Sequence, residues 1–258
     1  MLERYDWDLR GREFTLMPAG GISDWDGPLL RISSLSWGGF VDYRDLGGLD
    51  GDDLDALIAR QVVYFRERGQ AFEWKAFSHD EPADLADHLR AAGFEPEETE
   101  TVVAAPLAAI AGDVELPEGV TLREITARAD LDRIAKHEAD VWQDGDDRAW
   151  LANALEAEHA ADPSLMRFFV VEASGEIVCA AWIRLVRGTR WASLWGGATR
   201  ADWRRRGVYR ATVRHRANVA LGEGYELVQV DASEDSRPIL ERLGFTALTV
   251  TTPWRWKP

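Results

Sequence analysis

Residues able to bind a compact anion are concentrated in one stretch, Ala198-Thr-Arg-Ala-Asp-Trp-Arg-Arg-Arg-Gly-Val-Tyr-Arg-Ala-Thr212. Between Arg187 and Arg216 there are nine Arg and one acidic residue, Asp202, a local charge of +8. Gly207 falls where a strand-like run gives way to a helical one. A helix N-terminus presents backbone N–H groups without intrahelical acceptors and the positive end of the helix dipole, and both favour an anion. Glycine there lets the backbone approach a phosphate, because no Cβ stands in the way. Arg206, Arg210 and Arg214 are spaced four apart and so line one helical face leading away from that terminus. A phosphate-bearing ligand suits this pattern. A solvated basic helix face is the plainer alternative.

The same stretch resembles the acyl-CoA loop of the GNAT-type N-acetyltransferase superfamily, which has the form Arg/Gln-x-x-Gly-x-Gly/Ala between a strand and a helix. Here it reads Arg204-Arg-Arg-Gly207-Val-Tyr209, with Tyr209 in place of the last small residue. A later stretch, Asp231-Ala-Ser-Glu-Asp-Ser-Arg-Pro-Ile-Leu-Glu-Arg-Leu-Gly-Phe245, resembles the family's terminal helix signature. The two motifs stand in the expected order and separation, and the resemblance covers residues 119–258. It implies acetyl-CoA as co-substrate, no metal, and transfer of an acetyl group to an amine by direct attack in a ternary complex. The CoA contacts it implies are Ala198, Thr199, Arg204, Arg205, Arg206, Gly207, Val208, Tyr209 and Arg210. Successive N–H groups from Arg205 to Arg210 would hold the pyrophosphate.

Two further positions depart from the family pattern. Leu240 stands where many relatives carry the tyrosine that protonates the CoA thiolate, so Tyr209, water or no acid at all must serve. Ser233 occupies the neighbourhood of a common family asparagine and is expected to contact CoA or a water. The attacking amine must be neutral, so a carboxylate or a water chain must take its proton. Glu138, Asp140, Asp144, Asp146, Asp147 and Asp231 are candidates. Glu138 leads, because in the family the region between the first two helices lines the acceptor. Trp142 and the loop Asp144-Gly-Asp-Asp147 could hold a cationic acceptor. Trp195, beside Gly196-Gly197, could line the acyl path, and a glycine pair inside a strand suggests a bulge. Ordinary surface charge or packing is the alternative for each.

The elements that must position these residues follow from apolar periodicity. In the second half, Val120 to Ile125 reads as a strand, Asp130 to Trp142 and Asp147 to Ala160 as helices, and Met166 to Glu172 with Ile177 to Arg187 as a hairpin. A strand from Arg190 to Thr199, a helix from Val208 to Leu221 and a strand from Glu226 to Val230 follow. The first half offers strands at Glu13 to Met17, Leu29 to Leu35, Phe40 to Tyr43 and Phe72 to Phe77, with a helix from Asp53 to Arg68. His88-Leu-Arg-Ala-Ala-Gly-Phe94 and Ile239-Leu-Glu-Arg-Leu-Gly-Phe245 are similar, each followed by a β-prone stretch. Helix, strand, helix, Gly-Phe, strand therefore occurs twice, which points to duplicated halves. The expected fold is α/β (α+β), a mixed central sheet flanked by helices. The expected domains are 1–110, a degenerate GNAT-like half without a CoA loop, and 119–258, the acyltransferase. In the first half Asp50-Gly-Asp-Asp53 precedes the helix and would repel phosphate.

Composition sets the outer limits. The chain has 258 residues and a formal net charge of −15, which speaks against nucleic acid and an anionic membrane surface as partners. All of the excess lies in residues 1–118, with 10 Lys+Arg against 25 Asp+Glu, while residues 119–258 carry 20 of each. The lone Cys179 excludes an intrachain disulfide framework and a four-thiolate metal site. No signal-peptide pattern opens the sequence and no apolar run reaches membrane-spanning length, so a cytoplasmic location is expected. The expected function is acetyl transfer to a small-molecule amine, with a homodimer left open. A non-catalytic acyl-CoA-binding sensor module is the alternative.

Overall fold

The computed structural model describes residues 1–11, 21–35, 38–143 and 145–258. The first half of the chain forms α1 (Leu2–Asp8), β1 (Ile22–Asp26), β2 (Leu29–Leu35), β3 (Gly38–Asp42), α2 (Gly51–Glu67), β4 (Phe72–Phe77), α3 (Leu85–Ala91), β5 (Glu95–Pro96), β6 (Glu100–Pro106) and α4 (Leu107–Ile110). The second half forms β7 (Val120–Ile125), α5 (Arg128–Trp142), α6 (Ala149–Ala161), β8 (Met166–Ala173), β9 (Glu176–Leu185), β10 (Trp191–Thr199), α7 (Val208–Gly222), β11 (Leu227–Ala232), α8 (Arg237–Leu243) and β12 (Thr246–Trp256). The expected strand at Glu13 to Met17 lies outside the described residues. The architecture is a mixed sheet with flanking helices.

Two compact units divide the chain. The first comprises Met1–Val102, Asp231–Arg237 and Ala247–Pro258, and the second comprises Val103–Val230 and Pro238–Thr246. The units therefore depart from the sequence boundaries 1–110 and 119–258. The reason is strand pairing: β12 runs antiparallel to β4, from Thr251 opposite Phe77 to Trp256 opposite Phe72. The tail of the second half thus completes the sheet of the first unit. Long-range pairing of this kind leaves no trace in local periodicity.

In the first unit the strand order is β1-β2-β3-β4-β12. The pairs β1/β2 and β2/β3 are antiparallel and β3/β4 is parallel. In the second unit the order is β7-β8-β9-β10-β11, antiparallel through β9/β10 and parallel at β10/β11. Each parallel pair is joined by a helix, α2 or α7, as parallel neighbours require. The same succession in both units matches the repeat read from the sequence. Gly93 and Gly244 end α3 and α8 with φ of +89° and +109°, a region that glycine enters without a Cβ penalty, and Phe94 and Phe245 drop into the interior behind them.

Burial of apolar faces holds each unit together. In the first, Leu54, Leu57, Ile58, Val62 and Phe65 of α2 pack on Phe72, Trp74, Trp254 and Trp256. In the second, Leu131, Ile134, Leu151 and Leu155 of α5 and α6 pack on Phe168, Val170, Ala180 and Trp182. The other face of β8 and β9 packs Val171, Val178 and Cys179 against Val208, the first residue of α7. Among the described residues no helix is long and apolar enough to cross a membrane.

Candidate active site

The strand-to-helix turn after β10 is built for an anion. A short 3-10 turn, Ala201–Trp203, is followed by Arg205 at φ +62° and Gly207 at φ +86°, which caps α7. A left-handed arginine costs roughly 1–3 kcal/mol and persists where surrounding contacts over-determine it. One such contact is Arg204 Nε donating to the Thr199 carbonyl at 3.1 Å. Turns of this kind fold successive N–H groups into a concave nest for an anion, here at the N-terminus of a 15-residue helix. A Cβ on Gly207 would meet nothing but Arg210 Nη2, at 3.5 Å, so its backbone conformation rather than crowding demands glycine.

The arginines around the turn are individually placed. Arg206 stacks on Trp203, 4.8 Å from the ring centroid. Arg200 is paired with Asp202 at 2.6 Å, and exposed Arg210 reaches Glu115 at 3.6 Å. Arg214 Nη1 donates to the Asp113 carbonyl at 3.2 Å. Arg216 is buried beneath the helix. Val208 is buried as well and fixes the first turn of α7 against β9. This donor set of amides and guanidinium groups fits the phosphates of CoA.

Immediately before the turn, β10 opens. Its register with β9 slips between Gly196 and Ala198, with Gly196 at φ +66° and Gly197 at φ +90°. A Cβ on Gly196 would stand 2.5 Å from the Trp182 ring, and one on Gly197 would stand 2.6 Å from the Tyr209 ring. This explains the departure at Tyr209. The small residue that the loop pattern expects at 209 is supplied by Gly197 across the contact, and the tyrosine ring fills the space. Ala198 and Thr199 close the strand. The Ala198 carbonyl accepts from His137 Nε2 at 2.9 Å, and Thr199 Oγ1 donates to Cys179 Sγ at 3.4 Å. Burial lowers the His137 pKa, which keeps the ring neutral, and pushes the Cys179 thiol up to about 11, as suits a structural thiol.

Glu138 lies beside His137 on α5. It is 4% exposed, and desolvation raises its pKa to about 7, opposed by a hydrogen bond from Trp142 and the charge of Arg148. Trp142 Nε1 donates to Oε2 at 2.9 Å, whereas Oε1 is buried without a hydrogen-bond partner among the described residues. The charge of Glu138 is felt at Cys179, the residue opposite Thr199. The structure therefore gathers Glu138, the glycine bulge, Tyr209 and the arginine turn in the second unit.

Other expected residues are placed differently. Trp142 is 56% exposed next to Glu138, with the Arg148 guanidinium 6.0 Å from its ring. Asp144 lies outside the described residues. Asp146 and Asp147 accept from the backbone N–H groups of Arg148 and Ala149, two residues on in each case, and so shape the turn that leads into α6. The Trp195 indole donates to Ser193 Oγ at 2.8 Å and lies under Arg184 at 4.0 Å. Ser233 belongs to the first unit, where its hydroxyl bonds the Ser236 hydroxyl and amide and shapes the turn before α8. Asp231, also in that unit, is ion-paired with Lys75. Leu240 is fully buried. Sequence reasoning missed His137 and Arg216. The signal for Arg216 was present, since it falls on the helical face of Ala211, Thr212, Val213, Ala217 and Ala220, all buried.

The first unit lacks the equivalent turn. Between β3 and α2, Asp45 accepts from the Gly47 N–H at 3.0 Å, and Asp52 and Asp53 occupy the first turn of α2. Carboxylates hold the positions that a phosphate would need. Among the described residues no group of three or more His, Cys, Asp or Glu could hold a metal ion.

Comparison with known proteins bears on the fold and the domain. A model of the acetyltransferase (GNAT) family matches residues 128–245. No curated protein is a recognisable relative in sequence. A GCN5-related N-acetyltransferase from Kribbella flavida is similar in structure, with a TM-score of 0.68 and 14% identity over 93% of this chain and 90% of that one. A second, from Sphaerobacter thermophilus, gives 0.62 and 15% over 91% and 82%. A tandem GNAT protein from the clavulanic acid biosynthesis pathway gives 0.64 and 15% over 94% and 85%. At such identities the solved structures speak for the fold, and the family match speaks for the domain. Residues 128–245 therefore match the GNAT acetyltransferase family, and the fold is similar to that of a tandem GNAT protein.

Proposed function

We infer that the second unit transfers an acetyl group from acetyl-CoA to the amine of a small molecule, by direct attack in a ternary complex. The observation that carries this reading is Glu138: a buried carboxyl with pKa raised to about 7 and one oxygen left unpaired, in the same unit as the anion-binding turn. Such a group matches a general base working near neutrality. Bound acetyl-CoA would supply a thioester carbonyl as electrophile and a thiol leaving group. Gly207 and the amides of the first turn of α7 would hold its pyrophosphate, aided by Arg204, Arg205, Arg206 and Arg210. The opened backbone at Gly196–Ala198 would admit the acyl group. Glu138 Oε1 would take the ammonium proton, and Trp142 Nε1 would hold the carboxylate in place through Oε2. Exposed Trp142 offers an aromatic face to a cationic acceptor. The first unit would have a structural role, because carboxylates block its equivalent turn.

A thiol-release assay with acetyl-CoA and a broad amine panel tests the reading. Steady CoA release with an amine, falling roughly 10²–10⁴-fold in Glu138→Gln while CoA affinity is kept, is the expected result. The second reading, a non-catalytic sensor, is favoured by Leu240, whose buried side chain offers no proton. CoA binding without release by any acceptor would select it.

A further inference from the structure

The buried face of α7 carries one charge. Arg216 is 1% exposed, and its Nε donates to the Thr212 carbonyl at 3.1 Å. Its Nη1 donates to the carbonyls of Trp182 at 3.0 Å and Trp195 at 2.9 Å. Among the described residues no carboxylate pairs with it; its charge meets Tyr209, Cys179 and half-buried His215, and burial pulls its pKa down. Carbonyl dipoles satisfy donors without neutralising the charge, so desolvation of the guanidinium is not repaid by a counter-ion. The location suggests what the charge is for. Trp182 and Trp195 are directly opposed in the β9/β10 ladder, and the register slips just beyond them. Arg216 Nη2 comes within 3.7 Å of where a Cβ of Gly197 would stand.

We propose that Arg216 is the electrostatic residue of this site: it pins the open bulge through the Trp182 and Trp195 carbonyls and holds a positive charge that stabilises the departing thiolate of CoA. The proposal rests on the acyl-CoA reading above. In the step concerned, the amine nitrogen bonds to the acyl carbon, the carbon–sulfur bond breaks and its electron pair goes to sulfur. Glu138 already holds the ammonium proton, the second proton that the nitrogen sheds on becoming an amide goes to solvent water, and sulfur leaves as an anion without needing a proton. The groups facing this region are Tyr209 and His215 on the same helix, Cys179 on β9, and His137 and Glu138 on α5. Of these, His137 is held neutral and Cys179 protonated by burial. Arg216 is thus the cation that meets the thiolate, and it acts where the Leu240 side chain cannot.

The test reads the thiol of bound CoA, with no turnover. The full-length protein is saturated with CoA and titrated by ultraviolet thiolate absorbance, using desulfo-CoA as the blank. An opposite charge within ~4–6 Å lowers a pKa by ~1–3 units, so the bound thiol should titrate at least about one unit below its ordinary value of about 8.5. Arg216→Lys keeps the charge and should retain the shift. Arg216→Gln keeps hydrogen bonding without charge and should lose it, an approximately tenfold fall in thiolate below the pKa. A merely structural role would leave the thiol of Arg216→Gln as in wild type, and that result overturns the proposal. An unshifted or raised thiol pKa in the wild type also overturns it and needs no variant to fold. Binding of CoA with an unshifted thiol would leave the acyl-CoA reading standing; binding of neither CoA nor desulfo-CoA would remove both.

Discussion

Glu138→Gln replaces a buried carboxyl by an amide of the same shape, and its effect on stability should depend on pH. The folded state raises the pKa of this carboxyl from 4.5 to about 7, mainly by desolvation. The folded protein therefore holds the proton more tightly than the unfolded chain does. The stability this contributes is fully present below the unfolded pKa and is lost as pH rises through about 7. Between the two pKa values the cost of burying the charge builds to about 3 kcal/mol at about pH 8. Glutamine never takes the charge, and its oxygen can still accept from Trp142 Nε1. One kcal/mol moves Tm by roughly 2–4 °C in a chain of this size, so the variant should melt about 5–10 °C higher at about pH 8. At about pH 4, where the wild-type carboxyl is protonated, the two should melt together. Differential scanning calorimetry at both pH values measures this. An equal gain at both, or a loss at the alkaline one, would refute a carboxyl that is buried and protonated near neutrality. A more stable but inactive variant would show what the base costs the fold.

Gly197→Ala should destabilise by about 1–3 kcal/mol, because a side chain at φ +90° is strained and would press on the Tyr209 ring. Tyr209→Ala should relieve the pressure. A double-mutant cycle by urea denaturation is then expected to give a coupling of about 1 kcal/mol or more, and additivity would mean that the two residues do not share space. Lys75→Met leaves Asp231, Glu100 and Glu73 facing one another without their cation. It should cost about 3–5 kcal/mol at alkaline pH. The cost should be smaller in mild acid, where Glu100, with its pKa raised to about 7, carries a proton. A pH-independent cost would show that packing rather than charge is what Lys75 supplies.

Much of the fold was legible because local rules decide it. The apolar spacing of α2, α5 and α7 and the Gly-Phe endings at Gly93 and Gly244 are visible from the residues alone, and each was located to within a few positions. The conformation of the turn after β10 was legible for the same reason, since an arginine run with glycine at a helix start is a local pattern. What stayed hidden depends on contacts distant in sequence. Nothing near Trp254 says that it pairs with Trp74, 180 positions away. Tyr209 read as a departure until Gly197 was seen beneath it. Asp146 and Asp147 read as an acceptor loop, but their carboxylates are used in the turn that leads into α6. The unusual pKa of Glu138 arises from burial, which no single sequence displays.

The central claim is that the turn from Arg204 to Arg210 holds acyl-CoA. Isothermal titration of the full-length protein with acetyl-CoA tests it most directly, alongside Gly207→Asp. That variant puts a carboxylate where the pyrophosphate would sit, in a space that is otherwise open. The account predicts one saturable site in the wild type and none in Gly207→Asp, with the circular dichroism spectrum unchanged. Absence of binding by the folded wild type, or equal affinity in the variant, would contradict it.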